Sequence, residues 1–400
     1  MLTHALMAVV GAALATGLLL AFYNPTSGGS GISLPGSGAV PAPGARSAPL
    51  SGGEQAIVTN VKPGLVIINT TLQYASEAAA GTGMVINADG LVMTNNHVIN
   101  GSTTITATVG STGKTYRATV VGYDKTRDIA LIQLQNADGL ATVPIGNSSS
   151  VKVGNPVVAM GNAEGRGTIT AKPGQVTALN QTITASDDGG STASETLDGV
   201  IQTNADVVPG DSGGPLATSA GVIGMDTAGN DAGYQQASIG FAIPINMALS
   251  VARQIAGGHA SSTVAIGYPP FVGIFLGSGS DSSPQAQAQQ EEQQNGGIGS
   301  NGSPPKCYTR NSNLTVPSAI APVSSGALII GTICGSPAAS AGMTGGAVIT
   351  AVNGRAVGSP DSLSGILSGF HPGDTISVTW VSPSEQRTTS SLHLTAGPPQ

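Results

Sequence analysis

From Glu54 to about Ile255 the chain reads as short apolar runs broken by Gly, Asn and Asp at near-regular intervals. No run there is long enough for a sustained helical face except the last, so the pattern demands short strands joined by tight turns, as in barrels and sandwiches. Candidate strands are Leu65–Asn69, Met84–Asn87, Leu91–Asn95, Ile105–Val109, Ala118–Tyr123, Ile129–Leu134, Val157–Met160, Gln175–Leu179, Val222–Met225 and Gly240–Ile243. The exception is a helix. Ile245, Ala248, Leu249, Ala252 and Ile255 recur at helical spacing, and Gly257-Gly258 stops them. Composition agrees with an all-β reading: 58 of 400 residues are glycine, 9% are charged and 3% aromatic. A chain of this length divides into two domains plus linkers. Its net charge of −7, with 14 Lys and Arg in all, offers no basic stripe for a phosphate backbone and excludes nucleic acid as a partner.

The flanks differ in kind. An apolar run from Ala5 to Phe22 marks residues 1–25 as a signal peptide or membrane anchor, and no Lys or Arg precedes it to fix orientation. Residues 26–53 are Gly-Ser-Pro-Ala and read as a disordered linker. The predicted first domain covers 54–258 and the second 266–397. A Gln-rich stretch at about 277–305 is expected to be a disordered insertion in the second domain. There Ser359 can cap a helix with Pro360 at its first position and Leu363, Ile366 and Leu367 on one face, while Thr375–Val381 and Ser390–Thr395 read as strands. The two cysteines, Cys307 and Cys334, in an exported chain are expected to form a disulfide, worth roughly 3 kcal/mol in the chain-entropy model.

Three segments carry chemistry. Gly210-Asp211-Ser212-Gly213-Gly214-Pro215 sets a serine among glycines, where a tight turn can aim backbone N–H groups at one point. Such a serine needs a base to take its proton and a carboxylate to orient that base. His97, in Thr94-Asn95-Asn96-His97-Val98-Ile99 after a predicted strand, and Asp128, in Thr126-Arg127-Asp128-Ile129-Ala130-Leu131 at the head of another, supply both. His4, His259, His371 and His393 stand in no motif. Asp124 competes for the third role but falls in the turn Gly122-Tyr123-Asp124-Lys125. With no Cys/His cluster and no phosphate loop, neither a metal nor a cofactor is expected.

These segments, together with Gly81-Thr82-Gly83-Met84-Val85-Ile86, Gly154-Asn155-Pro156-Val157-Val158-Ala159-Met160-Gly161-Asn162 and Ile239-Gly240-Phe241-Ala242-Ile243-Pro244, resemble the trypsin-like serine proteases of the HtrA/Deg type. The resemblance implies a chymotrypsin-like double β-barrel, with His97, Asp128 and Ser212 meeting between the barrels and the N–H groups of Gly210 and Ser212 forming the oxyanion hole. It further implies a primary pocket built from Val207, Val208, Ile239, Gly240 and Phe241, which would take small aliphatic side chains. Asp206 leaves a second option, because it stands six residues before the serine, the spacing at which trypsin places its selector for Lys and Arg. In that family the position is Ala, with the acid at the place of Asn204.

The C-terminal block, through Gly335-Ser336-Pro337-Ala338-Ala339-Ser340-Ala341-Gly342 and Val348-Ile349-Thr350-Ala351-Val352-Asn353-Gly354, resembles the PDZ domain (α+β) of such proteases. That implies binding of peptide C-termini along Phe271, Val272, Gly273 and Ile274, with Leu363 and Ile366 lining the groove. It departs from the pattern at Gly345-Gly346, where an Asp is usual, and in the insertion after the binding strand. The expected activity is an endopeptidase cutting unfolded or flexible polypeptide substrates, either secreted or membrane-anchored on the outer side of the cytoplasmic membrane through the N-terminal segment. The resemblance leaves a homo-oligomer open. A silent peptide-binding scaffold and a chaperone are the alternatives, and an intact triad argues against the first.

Overall fold

The computed structural model describes residues 50–72, 77–186, 194–229, 239–277, 283–294, 306–309 and 314–399. The expected export segment lies outside them. The described chain opens on helix α1 (Gly52–Val61), which starts two residues inside what composition marks as linker. Ser51 and Glu54 explain the difference, since their side chains satisfy each other's backbone N–H in a capping box, and Ile57, Val58 and Val61 bury one face.

Six strands follow: β1 (Leu65–Leu72), β2 (Glu77–Asn87), β3 (Leu91–Thr94), β4 (Thr104–Val109), β5 (Thr115–Asp124) and β6 (Ile129–Leu134), with the one-turn helix α2 (Asn96–Ile99) after β3. They pair in the order β5-β4-β1-β2-β3-β6, and β5 also pairs with β6, which closes the ring. A second closed barrel runs β10-β11-β12-β9-β8-β7, from β7 (Pro156–Gly161), β8 (Thr170–Ser186), β9 (Ser194–Thr203), β10 (Pro215–Thr218), β11 (Gly221–Gly229) and β12 (Gly240–Pro244). Helix α3 (Ile245–Ala256) and strand β13 (Val264–Ile266) complete the domain. β13 pairs with β5, so the first domain continues past residue 258, where the Gly-Gly stop suggests its end.

Period-two side-chain alternation builds two kinds of core from the same strands. Val66, Ile68, Val85, Ala130 and Ile132 fill the first barrel, and Val157, Ala159, Leu216 and Ala242 fill the second. Their neighbours Leu65, Ile67, Met84, Ile129, Leu131, Val158, Met160, Met225 and Ile243 point the other way, into a layer shared by both barrels, α1 and α3. Burial on both faces fixes each strand's register and holds the loops between the barrels in place.

The C-terminal domain comprises β14 (Pro270–Phe271), β15 (Ile274–Leu276), α4 (Pro284–Gln294), β16 (Ala327–Thr332), α5 (Pro337–Ser340), β17 (Val348–Val352), β18 (Arg355–Ala356), α6 (Pro360–Leu367), β19 (Thr375–Val381), β20 (Arg387–His393) and β21 (Thr395–Ala396). Its sheet runs β15-β16-β17-β19-β20. One face carries Ile329, Ile349 and Trp380 against Ala338, Leu363 and Ile366. The other carries Leu328, Ile330, Val348 and Val381 against Ala288, Tyr308 and Ala321.

Part of the stretch expected to be disordered therefore contributes helix α4 to this second face, while residues 278–282 and 295–305 lie outside the described residues. Gln287, fully buried, replaces a missing strand neighbour there: its amide donates to the Gly326 carbonyl (2.8 Å) and accepts from Leu328 N–H (2.8 Å). Cys307 and Cys334 form a disulfide that ties the same segment to the end of β16.

Candidate active site

His97 sits on α2, directly after β3, and Asp128 heads β6, the next strand of the ring. Their adjacency follows from the β3–β6 pairing, in which Thr94 faces Ala130. The imidazole Nδ1 lies 2.9 Å from Asp128 Oδ2, and His97 N–H donates to Oδ1 at 3.0 Å. Asp128 is buried and adopts a left-handed backbone (φ 53°), which aspartate tolerates better than most side chains; Asn95 Nδ2 donates to its carbonyl at 2.9 Å. Asp124 serves the turn. It accepts from the N–H of Thr126 and Arg127, pairs with the Arg127 guanidinium (3.0 Å) and receives Thr263 Oγ1 (3.1 Å).

Thr227, on β11, joins the two barrels at this point. Its hydroxyl donates to Asp128 Oδ2 (2.5 Å), and its carbonyl accepts from Ser212 Oγ (3.4 Å). The three residues singled out from sequence thus converge on one spot, bridged by a fourth that sequence reasoning missed.

The turn carrying Ser212 is pinned peptide by peptide. Pro209 C=O accepts from Glu164 N–H (2.7 Å) and Asp211 C=O from Gly214 N–H (2.8 Å), which orients the peptide planes whose N–H groups belong to Gly210 and Ser212. Neither of those two N–H groups has a hydrogen-bond partner among the described residues. The intervening peptide is fixed at both ends, by Asp211 N–H to Val208 C=O (3.0 Å) and by Thr82 Oγ1 to Gly210 C=O (2.8 Å). Gly210 takes φ 93°, and a Cβ there would collide with the Asn162 carbonyl, so the turn requires glycine. Two adjacent unpaired N–H donors beside a serine can stabilise an oxyanion.

Thr82 is the second residue that sequence reasoning missed. It is fully buried, its N–H donates to Ser212 C=O (2.9 Å), its carbonyl accepts from Thr94 Oγ1 (2.7 Å), and its hydroxyl accepts from Asn162 N–H (2.9 Å). A threonine between two glycines in an apolar strand was the available signal.

Of the residues assigned to the primary pocket, Val207 is buried and packs so closely on Gly240 that a Cβ there would lie 2.5 Å from its Cγ2; Val208, Ile239 and Phe241 are half-buried. Asp206 is exposed. In the C-terminal domain, Leu363 and Ile366 are buried, and Phe271 and Ile274 half-buried. Val272 C=O accepts from Ala338 N–H, and Gly273 C=O from Ile333 N–H and Ser336 Oγ. The N–H groups of Val272 and Gly273 make no hydrogen bond among the described residues.

Two buried acids stand at the Ser212 turn. Asp211 is pushed above the ordinary carboxylate range, chiefly by burial, against the pull of Val208 N–H and Lys172. Burial raises Asp226 far more, with the Asp211 charge adding to it.

Comparison with known proteins bears on all of this. The Trypsin-like peptidase domain family matches residues 81–225. The serine protease PepD of Mycobacterium tuberculosis is 31% identical over 402 aligned positions, spanning 94% of this chain and 74% of PepD. The periplasmic pH-dependent serine endoprotease DegQ of Escherichia coli is 40% identical over 44% of this chain and 37% of its own length. Among solved structures, the HtrA-type protease AlgW with a decapeptide shares 21% identity at a TM-score of 0.45, over 87% of this chain and 99% of that one. Related to PepD across nearly its whole length, the chain belongs to the trypsin-like serine endoproteases of the HtrA/DegP type.

Proposed function

We propose that the protein is an exported endopeptidase that hydrolyses unfolded or flexible polypeptides through Ser212, His97 and Asp128. The observation that carries this is the His97–Asp128 pair at 2.9 Å, set one residue, Thr227, away from a serine flanked by two unpaired N–H donors. Rotation of Ser212 about χ1 moves Oγ from the Thr227 carbonyl toward the imidazole. His97 then takes the proton as Oγ attacks the scissile carbonyl, and Asp128 stabilises the imidazolium. The N–H groups of Gly210 and Ser212 receive the developing oxyanion. His97 returns the proton to the leaving amine, and water repeats the cycle on the acyl-enzyme.

An exposed Asp206 and the Val207–Gly240 contact support a shallow apolar primary pocket, so cleavage falls after Val, Ala or Ile. The C-terminal domain acts as a PDZ domain. The unpaired N–H groups of Val272 and Gly273 suit a terminal carboxylate, and the groove between β15 and α6 suits the strand that ends in it. Export is supported by the apolar run at Ala5–Phe22 and by the periplasmic naming of relatives such as DegQ.

A fluorophosphonate probe, which phosphonylates only an activated serine, tests the assignment. Wild type should be labelled at Ser212, and both labelling and casein hydrolysis should vanish in Ser212→Ala; hydrolysis persisting in that variant would refute it.

A further inference from the structure

The nucleophile turn contains an acid, Asp211, whose side chain points away from the oxyanion donors and into the protein. There it meets a cation supplied by a different strand. Lys172, on β8 opposite Ala159, reaches in so that only 17% of its side chain stays exposed, and its Nζ lies 3.2 Å from Asp211 Oδ2. The same carboxylate oxygen accepts from Val208 N–H at 3.1 Å, the residue that opens the turn. Asp226, on β11, hydrogen-bonds through its backbone to both ends of the glycine pair after the serine: Gly213 N–H donates to its carbonyl and its own N–H donates to Gly214, each at 2.8 Å. Its side chain is fully buried, and among the described residues neither carboxyl oxygen has a hydrogen-bond partner, nor has Asp211 Oδ1.

Two buried carboxyl groups and one largely buried ammonium thus gather at the Ser212 turn. One positive charge matches one carboxylate, and a second buried negative charge would stand uncompensated. Asp226 therefore keeps its proton, which agrees with the upward displacement of its titration by burial and by the Asp211 charge. Of the other charges nearby, only Asp206 acts on the pair, and its push on Asp211 is the smallest of the causes. Asp206 is exposed, Glu164 and Arg166 pair with each other on the surface, and Asp128 is occupied by His97 and Thr227.

We propose that Lys172 is a positioning residue for catalysis: its ion pair with Asp211 holds the Gly210–Ser212 turn in the shape that presents both oxyanion donors. Nothing in the reaction touches Lys172. It acts through Asp211, whose backbone lies between the two N–H groups. Without the ammonium, the buried Asp211 carboxylate stands uncompensated and swings toward solvent, which releases Val208 N–H and the turn. Raising the pH until Asp226 ionises adds a second negative charge that competes for Lys172, so activity falls on the alkaline side for a reason unconnected with His97. The inference rests on Ser212 being the nucleophile.

The test uses the full chain and two probes, the fluorophosphonate and a fluorogenic peptide with Val at the cleaved position. Lys172→Met should lower kcat by about 10²-fold, the scale of losing an oxyanion donor, with KM changed by no more than about twofold. Adding Asp211→Asn should recover at least tenfold of that loss, because it removes the orphaned charge; a lysine that only packs would show no recovery. Asp226→Asn should extend the plateau of the labelling rate to higher pH.

If wild type is not labelled, the nucleophile assignment fails. If wild type is labelled and Lys172→Met retains its kcat, or loses it without recovery in the double variant, the positioning role is overturned. Should Lys172→Met not fold, the Asp226→Asn profile decides alone, and one superimposable on wild type overturns the coupling.

Discussion

Thr82→Val removes one hydroxyl and almost no volume, so it separates hydrogen bonding from packing. The Thr82 hydroxyl donates to Gly210 C=O at 2.8 Å and accepts from Asn162 N–H at 2.9 Å, in a site from which water is excluded. Valine leaves both groups unsatisfied, at about 1–3 kcal/mol each, so the domain should lose roughly 2–6 kcal/mol. That is a large part of the 5–15 kcal/mol typical of a folded domain. Catalysis should suffer as well, because the freed Gly210 carbonyl lets the peptide between the two oxyanion donors rotate. The donors themselves remain, so the expected fall in kcat is roughly 10- to 100-fold, below the 10²–10³ that follows loss of a donor. Thr82→Ser keeps the hydroxyl and should restore most of both. Urea unfolding and initial rates on the fluorogenic peptide measure the two effects. A variant as stable as wild type, or one destabilised as expected with its kcat intact, would refute the view that Thr82 holds the oxyanion turn.

Asp128→Asn keeps a side chain that tolerates the left-handed backbone at this position (φ 53°) and removes the charge opposite the imidazolium; kcat on the same peptide should drop by roughly 10⁴-fold while urea unfolding changes little. Asp226 binds its proton more tightly folded than unfolded, so its favourable contribution is complete below the ordinary aspartate value of 3.8 and is lost as pH rises through the higher folded value. Asp226→Asn should therefore match wild type in urea at pH 3.5 and exceed it increasingly from pH 5 to 8, and a gap independent of pH would contradict the reading. For specificity, a peptide-library digest by wild type and Asp206→Ala should show the same cleavage after Val, Ala or Ile; cleavage after Lys or Arg that disappears in the variant would place that carboxylate in the pocket.

The candidate site motifs were legible because their chemistry is local: a serine among glycines, a histidine closing one strand and an aspartate opening another can each be read from six residues. Strand positions were legible for the same reason, Ile129–Leu134 and Thr375–Val381 matching β6 and β19 to the residue. What escaped reading is held by partners distant in sequence. β9 and β10 carry too little alternation of their own and exist because the second barrel must close through β10–β7 and β12–β9. Helix α4 looked like a solvated Gln-rich loop, and its reason lies across the sheet, in β16, every residue of which is buried. A strand buried along its whole length needs cover on both faces, so Ala327-Leu328-Ile329-Ile330 was itself a sign that something packs on the second. Lys172 and Asp226 follow the same logic more sharply. In a chain with 9% charged residues, an aspartate inside an apolar strand or a lysine turned inward from a half-buried one is an expensive choice, and the cluster beneath Ser212 accounts for both only when β8 and β11 are seen to deliver them to one turn.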